Sequence, residues 1–154
     1  MAKNKDVSSD IMKNLIKYLS VTIAIILVGY LLKFVNVSFI KAIGTAVVNN
    51  MAVIIAMALS VAIAEENNGV SAIAAVVGYL VLTNVATAIG NKIDMVSIIG
   101  LVIGVITGIV SGLLYNKFKD IKVPQFLGFF GGKRFVPIIT SFIALIAGLI
   151  LGIL

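Results

Sequence analysis

The sequence predicts an all-α integral membrane protein with about five transmembrane helices, and three observations carry that reading. Hydrophobic residues make up 61% of the 154 positions and charged residues only 12%, where soluble domains hold about 45 to 50% and about 25%. Stretches without an ionisable side chain recur to the last residue, which excludes a short cleavable leader followed by a secreted domain. Segments such as IAIILVGYLL and GLVIGVITGIVSGLLY are apolar on every side, unlike barrel strands, which alternate lipid-facing and lumen-facing residues.

A helix rising 1.5 Å per residue needs about 20 residues to cross roughly 30 Å of hydrocarbon. The first predicted span, Tyr18 to Leu32, is short but lies between Lys17 and Lys33. Their long stems reach back to the headgroups, so the helix extends to about Val35. The second runs from Ala42 to Ala64, the third from Asn67 to Asn91, the fourth from Met95 to Asn116, and the fifth from Phe135 to Leu154.

Orientation follows from the twelve basic residues, because Lys and Arg in short loops stay on the cytoplasmic side. With five spans, the segment bearing Lys3, Lys5, Lys13 and Lys17 shares a side with the 116–134 loop bearing Lys117, Lys119, Lys122, Lys133 and Arg134. The Glu65-Glu66 loop joins them. The other side holds Lys33, Lys41 and Lys92. Nine against three predicts the N-terminus inside and the C-terminus outside. The net charge of +6 is thus a topology signal rather than a nucleic-acid footprint, which would gather cations on a soluble face; no nucleic-acid partner is expected.

With Cys 0 and His 0, the chain builds no disulfide, thiolate zinc site, Cys nucleophile or imidazole base. No catalytic residue, metal ligand or cofactor is assigned, and the substrate-binding residues are unknown. No carboxylate, Lys or Arg lies deep in an apolar stretch, which argues against a self-sufficient ion-driven pump. The polar positions Asn49, Asn50, Thr83, Asn84, Thr140 and Ser141 are expected to hydrogen-bond between helices, with substrate contact as the other reading.

Gly100, Gly104, Gly108 and Gly112 recur at steps of four in the fourth span. They form a groove along which another backbone approaches closely, either within one subunit or between subunits. Gly148 and Gly152 repeat the device in the last span, and Ala56, Ser60 and Ala64 in the second.

VPQFLGFFGGKRFVP, residues 123–137, combines Phe126, Phe129 and Phe130 with Gly131-Gly132, Lys133-Arg134, Phe135, and Pro137 in the opening turn of a helix, where its missing donor costs nothing. Three readings stay open: an interfacial loop with its phenylalanines at the headgroup boundary, an anion site at a helix N-terminus, and a plain positive-inside anchor.

The stretch LGFFGGKRFVPIITSFIALIAG closely resembles part of the membrane-embedded IIC component of the bacterial sugar phosphotransferase system, in its glucose, maltose and N-acetylglucosamine branch. AIGTAVVNNMAVIIAMALSVAIAEENNGVSAIAAVVGYLVLT is similar to that family's second and third helices and their loop, so the likeness covers about Leu15 to Leu154. One departure is Glu65-Glu66, where members often carry a basic residue.

The resemblance implies a permease of the bacterial cytoplasmic membrane that takes up a sugar while a cytoplasmic IIB domain phosphorylates it, with phosphoenolpyruvate as ultimate donor. It also implies that residues 15–154, behind a cytoplasmic segment 1–14, are the scaffold and dimerisation half of the domain. The later half, with most sugar-binding and catalytic residues and a Gly-Ile-Thr-Glu-Pro signature, is absent, as in a truncated or split product. By the same resemblance Lys133 and Arg134 meet the IIB domain or steady the cytoplasmic mouth, the expected partners are a IIB domain, the complementing half, a second copy and membrane lipid, and the fourth-span glycine face is the candidate dimer contact. A small oligomeric, holin-like pore and a nonfunctional remnant are the alternatives. The pore suffers from the lack of a polar helix face.

Overall fold

A computed structural model describes residues 2–90, 93 and 97–154, apart from the side chains of residues 2–5. Lys92, the side chains of Lys3 and Lys5, and the span limits Asn91 and Met95 lie outside the described residues. All regular structure among the described residues is helical: α1 Ala2–Phe34, α2 Ser38–Asn49, α3 Met51–Ile63, α4 Gly69–Ile89, α5 Ile98–Phe118 and α6 Phe135–Ile153, with 3-10 turns at Gln125–Phe130 and Gly132–Arg134. Among the described residues four helices are long and apolar enough to cross a bilayer, and five spans result if the bent pair α2–α3 is counted as one.

At 33 residues α1 is about 50 Å long, more than a bilayer core needs, so its polar first turns project beyond the hydrocarbon. It packs on α2 and α3. Its closest approach to α2 comes where Gly29 and Gly44 face each other. A Cβ on Gly44 would stand 2.5 Å from the Gly29 carbonyl oxygen.

The second span is not the single straight helix that its apolar run predicts. It bends by 55° at Asn50, whose φ of −106° and ψ of 14° leave the helical well. The Asn50 side-chain amide donates to the Ala46 carbonyl at 2.8 Å, while its backbone N–H turns to Val47 and Val48. A side chain entering the i→i−4 ladder is a recognised cause of a kink.

α6 packs most extensively on α4, and α5 on α3. Asn68 caps α4 by accepting from the Val70 N–H at 2.9 Å, and Ser97 caps α5 by accepting from the Gly100 N–H at 3.0 Å. Each cap satisfies an orphan donor at a helix start. The core lies between α3, α4, α5 and α6, in one cluster around Ala52, Tyr79, Leu82, Ile103 and Ala144 and a second around Ala64, Ala74, Tyr115 and Val136.

Candidate functional site

The glycine groove of α5 is filled within the chain. A Cβ on Gly104 would meet the Ala52 carbonyl oxygen at 2.5 Å, one on Gly108 that of Ala56 at 2.6 Å, and one on Gly112 that of Ser60 at 2.9 Å. Gly100, one turn earlier, is buried on the same helix. The small-residue face of α3 therefore meets that of α5, backbone against backbone. Gly104, Gly108 and Gly112 are thus covered by α3, the packing within one subunit that was one of the two readings of the groove. Gly148 and Gly152 in turn seat α6 on Leu82 and Ile89 of α4.

The span amides and hydroxyls behave differently from the expectation of interhelical bonds. Asn50 and Asn84 donate to carbonyls four residues back on their own helices, and so do the hydroxyls of Thr83, Thr140 and Ser141. A backbone carbonyl one turn away is the nearest acceptor in a medium without water, so short side chains close on their own helix. The bonds that cross between helices come from other residues. Buried Ser60 donates to the Ser71 carbonyl at 2.8 Å, and Tyr79 donates to the Gly100 carbonyl at 3.4 Å.

The polar chemistry gathers at one end of the bundle, where the α3–α4 turn meets the α5–α6 connection. Asn116 near the end of α5 holds the turn from both sides: its amide nitrogen donates to the Ile63 carbonyl at 2.9 Å, and its oxygen accepts from the Glu65 N–H at 2.8 Å. The last carbonyls of α3, unpaired within the helix, thus gain a partner from another span. Glu65 pairs with Lys119 at 2.8 Å. Glu66 accepts from Lys119 at 3.3 Å, from the Tyr115 hydroxyl at 3.1 Å and from Lys133.

These donors hold the Glu66 carboxyl well below the usual carboxylate range, at about 2, with Lys133 the largest cause and Lys119 the next. Reciprocally, the Lys119 ammonium is pushed up chiefly by its bond to Glu65, and that of Lys133 by its bond to Glu66.

The glycines shape the rest of the connection. Gly132 has φ of +65°, the left-handed region that favours glycine, and its N–H donates to the Ile121 carbonyl at 3.0 Å. The turn brings Lys133 to Glu66. Gly131 donates to the Gly128 carbonyl at 3.3 Å and closes the first 3-10 turn. Arg134 points elsewhere, with its guanidinium 4.7 Å from the Phe129 ring centroid. Phe135 meets Phe118 with ring centroids 6.0 Å apart, tying the start of α6 to the end of α5. Pro137, in the first turn of α6, accepts from the Ser141 hydroxyl at 2.6 Å.

Sequence reasoning singled out the loop glycines and cations but not their acidic partners. The signal was available in the paired carboxylates of an otherwise uncharged turn, facing a basic loop across two spans. Lys133 is compensated by Glu66, so it does not stand as a free cation at the N-terminus of α6. Among the described residues no three carboxylates gather to hold a metal ion. An apolar cavity of about 70 Å³ between α4, α5 and α6 is lined by Leu82, Thr107, Ser111 and Thr140, far below the roughly 300 to 1,000 Å³ of ordinary ligand pockets.

Comparison with known proteins follows the same line. A family profile described as "Phosphotransferase system, EIIC" matches residues 17–154. The "PTS system N-acetylglucosamine-specific EIICBA component" of Escherichia coli (strain K12) is 40% identical over 117 residues, covering 76% of this chain and 17% of that protein. In Bacillus subtilis (strain 168), the "PTS system N-acetylglucosamine-specific EIICB component" is 34% identical over 118 residues, covering 77% of this chain and 25% of the relative. The "PTS system glucosamine-specific EIICBA component" of the same organism is 36% identical over 140 residues, covering 79% and 21%. The chain thus spans a quarter or less of the length of these curated relatives.

Proposed function

The chain belongs to the phosphotransferase system EIIC family, and from that premise we propose that it is the scaffold part of a sugar permease of the bacterial cytoplasmic membrane. Uptake on this reading is coupled to phosphorylation of the sugar, with phosphoenolpyruvate as the ultimate donor. The observation that carries it is the family match over residues 17–154. The substrate class is an amino sugar of the N-acetylglucosamine or glucosamine type, which the names of the two kinds of relative support.

Physical features agree with the division of labour. With neither Cys nor His, the chain lacks the side chains through which the family's carrier domains pass phosphate. On this reading the phosphoryl group comes from a IIB domain outside these 154 residues. Relatives whose names join the C and B components support such a partner. The cavity of about 70 Å³ between α4, α5 and α6 is too small for a hexose, and on this reading the sugar is held with the help of further segments. Residues 15–154 are proposed to provide the rigid frame, with the basic end of the bundle facing the cytoplasm. Lys133 and Arg134 steady the mouth of that frame, one through Glu66 and the other through Phe129.

The test is uptake of labelled N-acetylglucosamine, glucosamine and glucose in cells lacking their own permeases. The chain alone should give none. Coexpression with the remaining EIIC segment and IIB domain of a relative should restore uptake, with the sugar recovered as its phosphate. Transport by the chain alone overturns the scaffold assignment, and failure of every sugar with the complementing segments present overturns the permease reading.

A further inference from the structure

The 3-10 turn Gln125–Phe130 carries its apolar side chains outward. Phe126 is 84% exposed and Phe129 71%, with Leu127 and Phe130 also exposed. This surface adjoins the mouths of two spans, because Phe118 at the end of α5 touches Phe135 at the start of α6. An apolar groove lined by Val123, Leu127, Phe130, Phe135 and Ile138 runs from the turn onto the first turns of α6. The exposed phenylalanines are thus continuous with the start of a helix long and apolar enough to cross a bilayer.

The charges around this patch divide into two groups. Lys119 and Lys133 are neutralised by Glu65 and Glu66. Lys117, Lys122 and Arg134 are exposed and form no ion pair among the described residues. The exposed Asp120 also forms none, so a clear positive excess remains beside the patch. Two of the three unpaired cations lie over aromatic rings, Lys117 at 5.5 Å from the Phe118 centroid and Arg134 at 4.7 Å from that of Phe129. A ring and its cation form an amphipathic unit, with an apolar body for the acyl boundary and a charged tip for the headgroup.

We propose that residues 117–134 form a docking surface for anionic phospholipids of the adjacent leaflet, in which Phe126 and Phe129 enter the acyl boundary and Lys117, Lys122 and Arg134 bind the headgroup phosphates. The acidic pair on the α3–α4 turn fixes the loop to the bundle and at the same time leaves these three cations to the lipid. Apolar insertion alone would accept any phospholipid. The unpaired cations add selectivity for negative charge, because each Lys or Arg near an anionic surface contributes an attraction that falls off within a Debye length. A protein partner on the same surface would need the phenylalanines out of the bilayer, which makes the two occupants separable by experiment.

The full chain contains no tryptophan, so Phe126→Trp and Phe129→Trp each install a single reporter, and Leu113→Trp, on the exposed face of α5 within the bilayer, serves as the depth control. Each variant is reconstituted in nanodiscs containing brominated phosphatidylglycerol or brominated phosphatidylcholine at the same mole fraction. The two loop reporters should be quenched by the brominated lipids, and several-fold more strongly by the anionic one. Replacing Lys117, Lys122 and Arg134 together by Gln should abolish the preference, at about fivefold in apparent lipid affinity per cation, as should 1 M salt. If the loop reporters stay unquenched while Leu113→Trp is quenched, or if both lipids quench them equally, the proposal fails. Neither result bears on sugar uptake, so this inference and the permease reading stand or fall separately.

Discussion

Glu66 collects three donors from two parts of the chain, Tyr115 and Lys119 at the end of α5 and Lys133 before α6, and its charge state should therefore govern how firmly the α5–α6 connection is held. Its carboxyl is lowered from 4.5 to about 2, so its contribution to stability is complete above pH 4.5 and is lost as the pH falls through about 2. Thermal unfolding in detergent should show the midpoint dropping between pH 5 and pH 2, and Glu66→Gln should start lower at pH 7 and respond less over that interval. An unchanged slope in the variant would remove Glu66 as the titrating group. The lysines act in the opposite sense: with raised ammonium values, their contribution is present below 10.5 and fades at strongly alkaline pH.

The glycines of α5 make a second prediction at the same scale. A methyl on Gly108 would lie 2.6 Å from a backbone oxygen of α3, and backbone yields poorly. Gly108→Ala should lower stability by about 1 to 3 kcal/mol through overpacking, less a helix-propensity gain of at most about 1 kcal/mol. Gly69→Ala, with nothing within 4 Å, should be neutral or slightly stabilising. Equal effects of the two substitutions in thermal denaturation would show that the α3–α5 contact is looser than its geometry.

Among the elements, the helices were legible because their signal is collective. A run of some twenty apolar residues has one low-energy arrangement in hydrocarbon, and three of the five predicted spans coincide with α4, α5 and α6 to within a few residues at the ends that are described, while α1 ends where predicted but begins at Ala2 rather than near Tyr18. The bend between α2 and α3 was not legible. Asparagine inside an apolar run reads equally as a partner for another helix or for its own backbone, and the outcome rests on side-chain geometry at Asn50. Asn50→Ala should remove the bond to Ala46, at about 0.5 to 1.5 kcal/mol, and let the ladder close across the break. Spin labels near Ser38 and Ile63 should then move apart by about 4 Å as two short helices align into one; an unchanged distance would place the cause of the bend in the packing of Gly29 on Gly44 instead. The acidic anchor of the loop was hidden for a related reason. Glu65 and Lys119 are separated by two whole spans, and only the fold brings them within 2.8 Å.

For the whole molecule, the charge asymmetry that predicts orientation is matched by a structural asymmetry, since every ion pair among the described residues lies at one end of the bundle. The chain has no cysteine, so single replacements report topology without background. Gly69→Cys and Gln125→Cys should be labelled by an impermeant maleimide only from the cytoplasmic face, and Asn36→Cys only from the outer face. The reverse pattern would invert the protein in the membrane and remove the basis for a cytoplasmic partner at the basic end.

The seam between α3 and α5 also sets a timetable for assembly. Ala56 leaves the ribosome about fifty residues ahead of Gly108, an interval of roughly 3 to 10 s at ordinary elongation rates. Over that time the narrow flank of α3 borders lipid or the insertion machinery, with no mate for its bare carbonyl ridge. A pause or chaperone holding the nascent chain after the third helix would protect this flank, and a stall at that point should yield a species more readily captured by crosslinkers than one stalled after the fourth crossing.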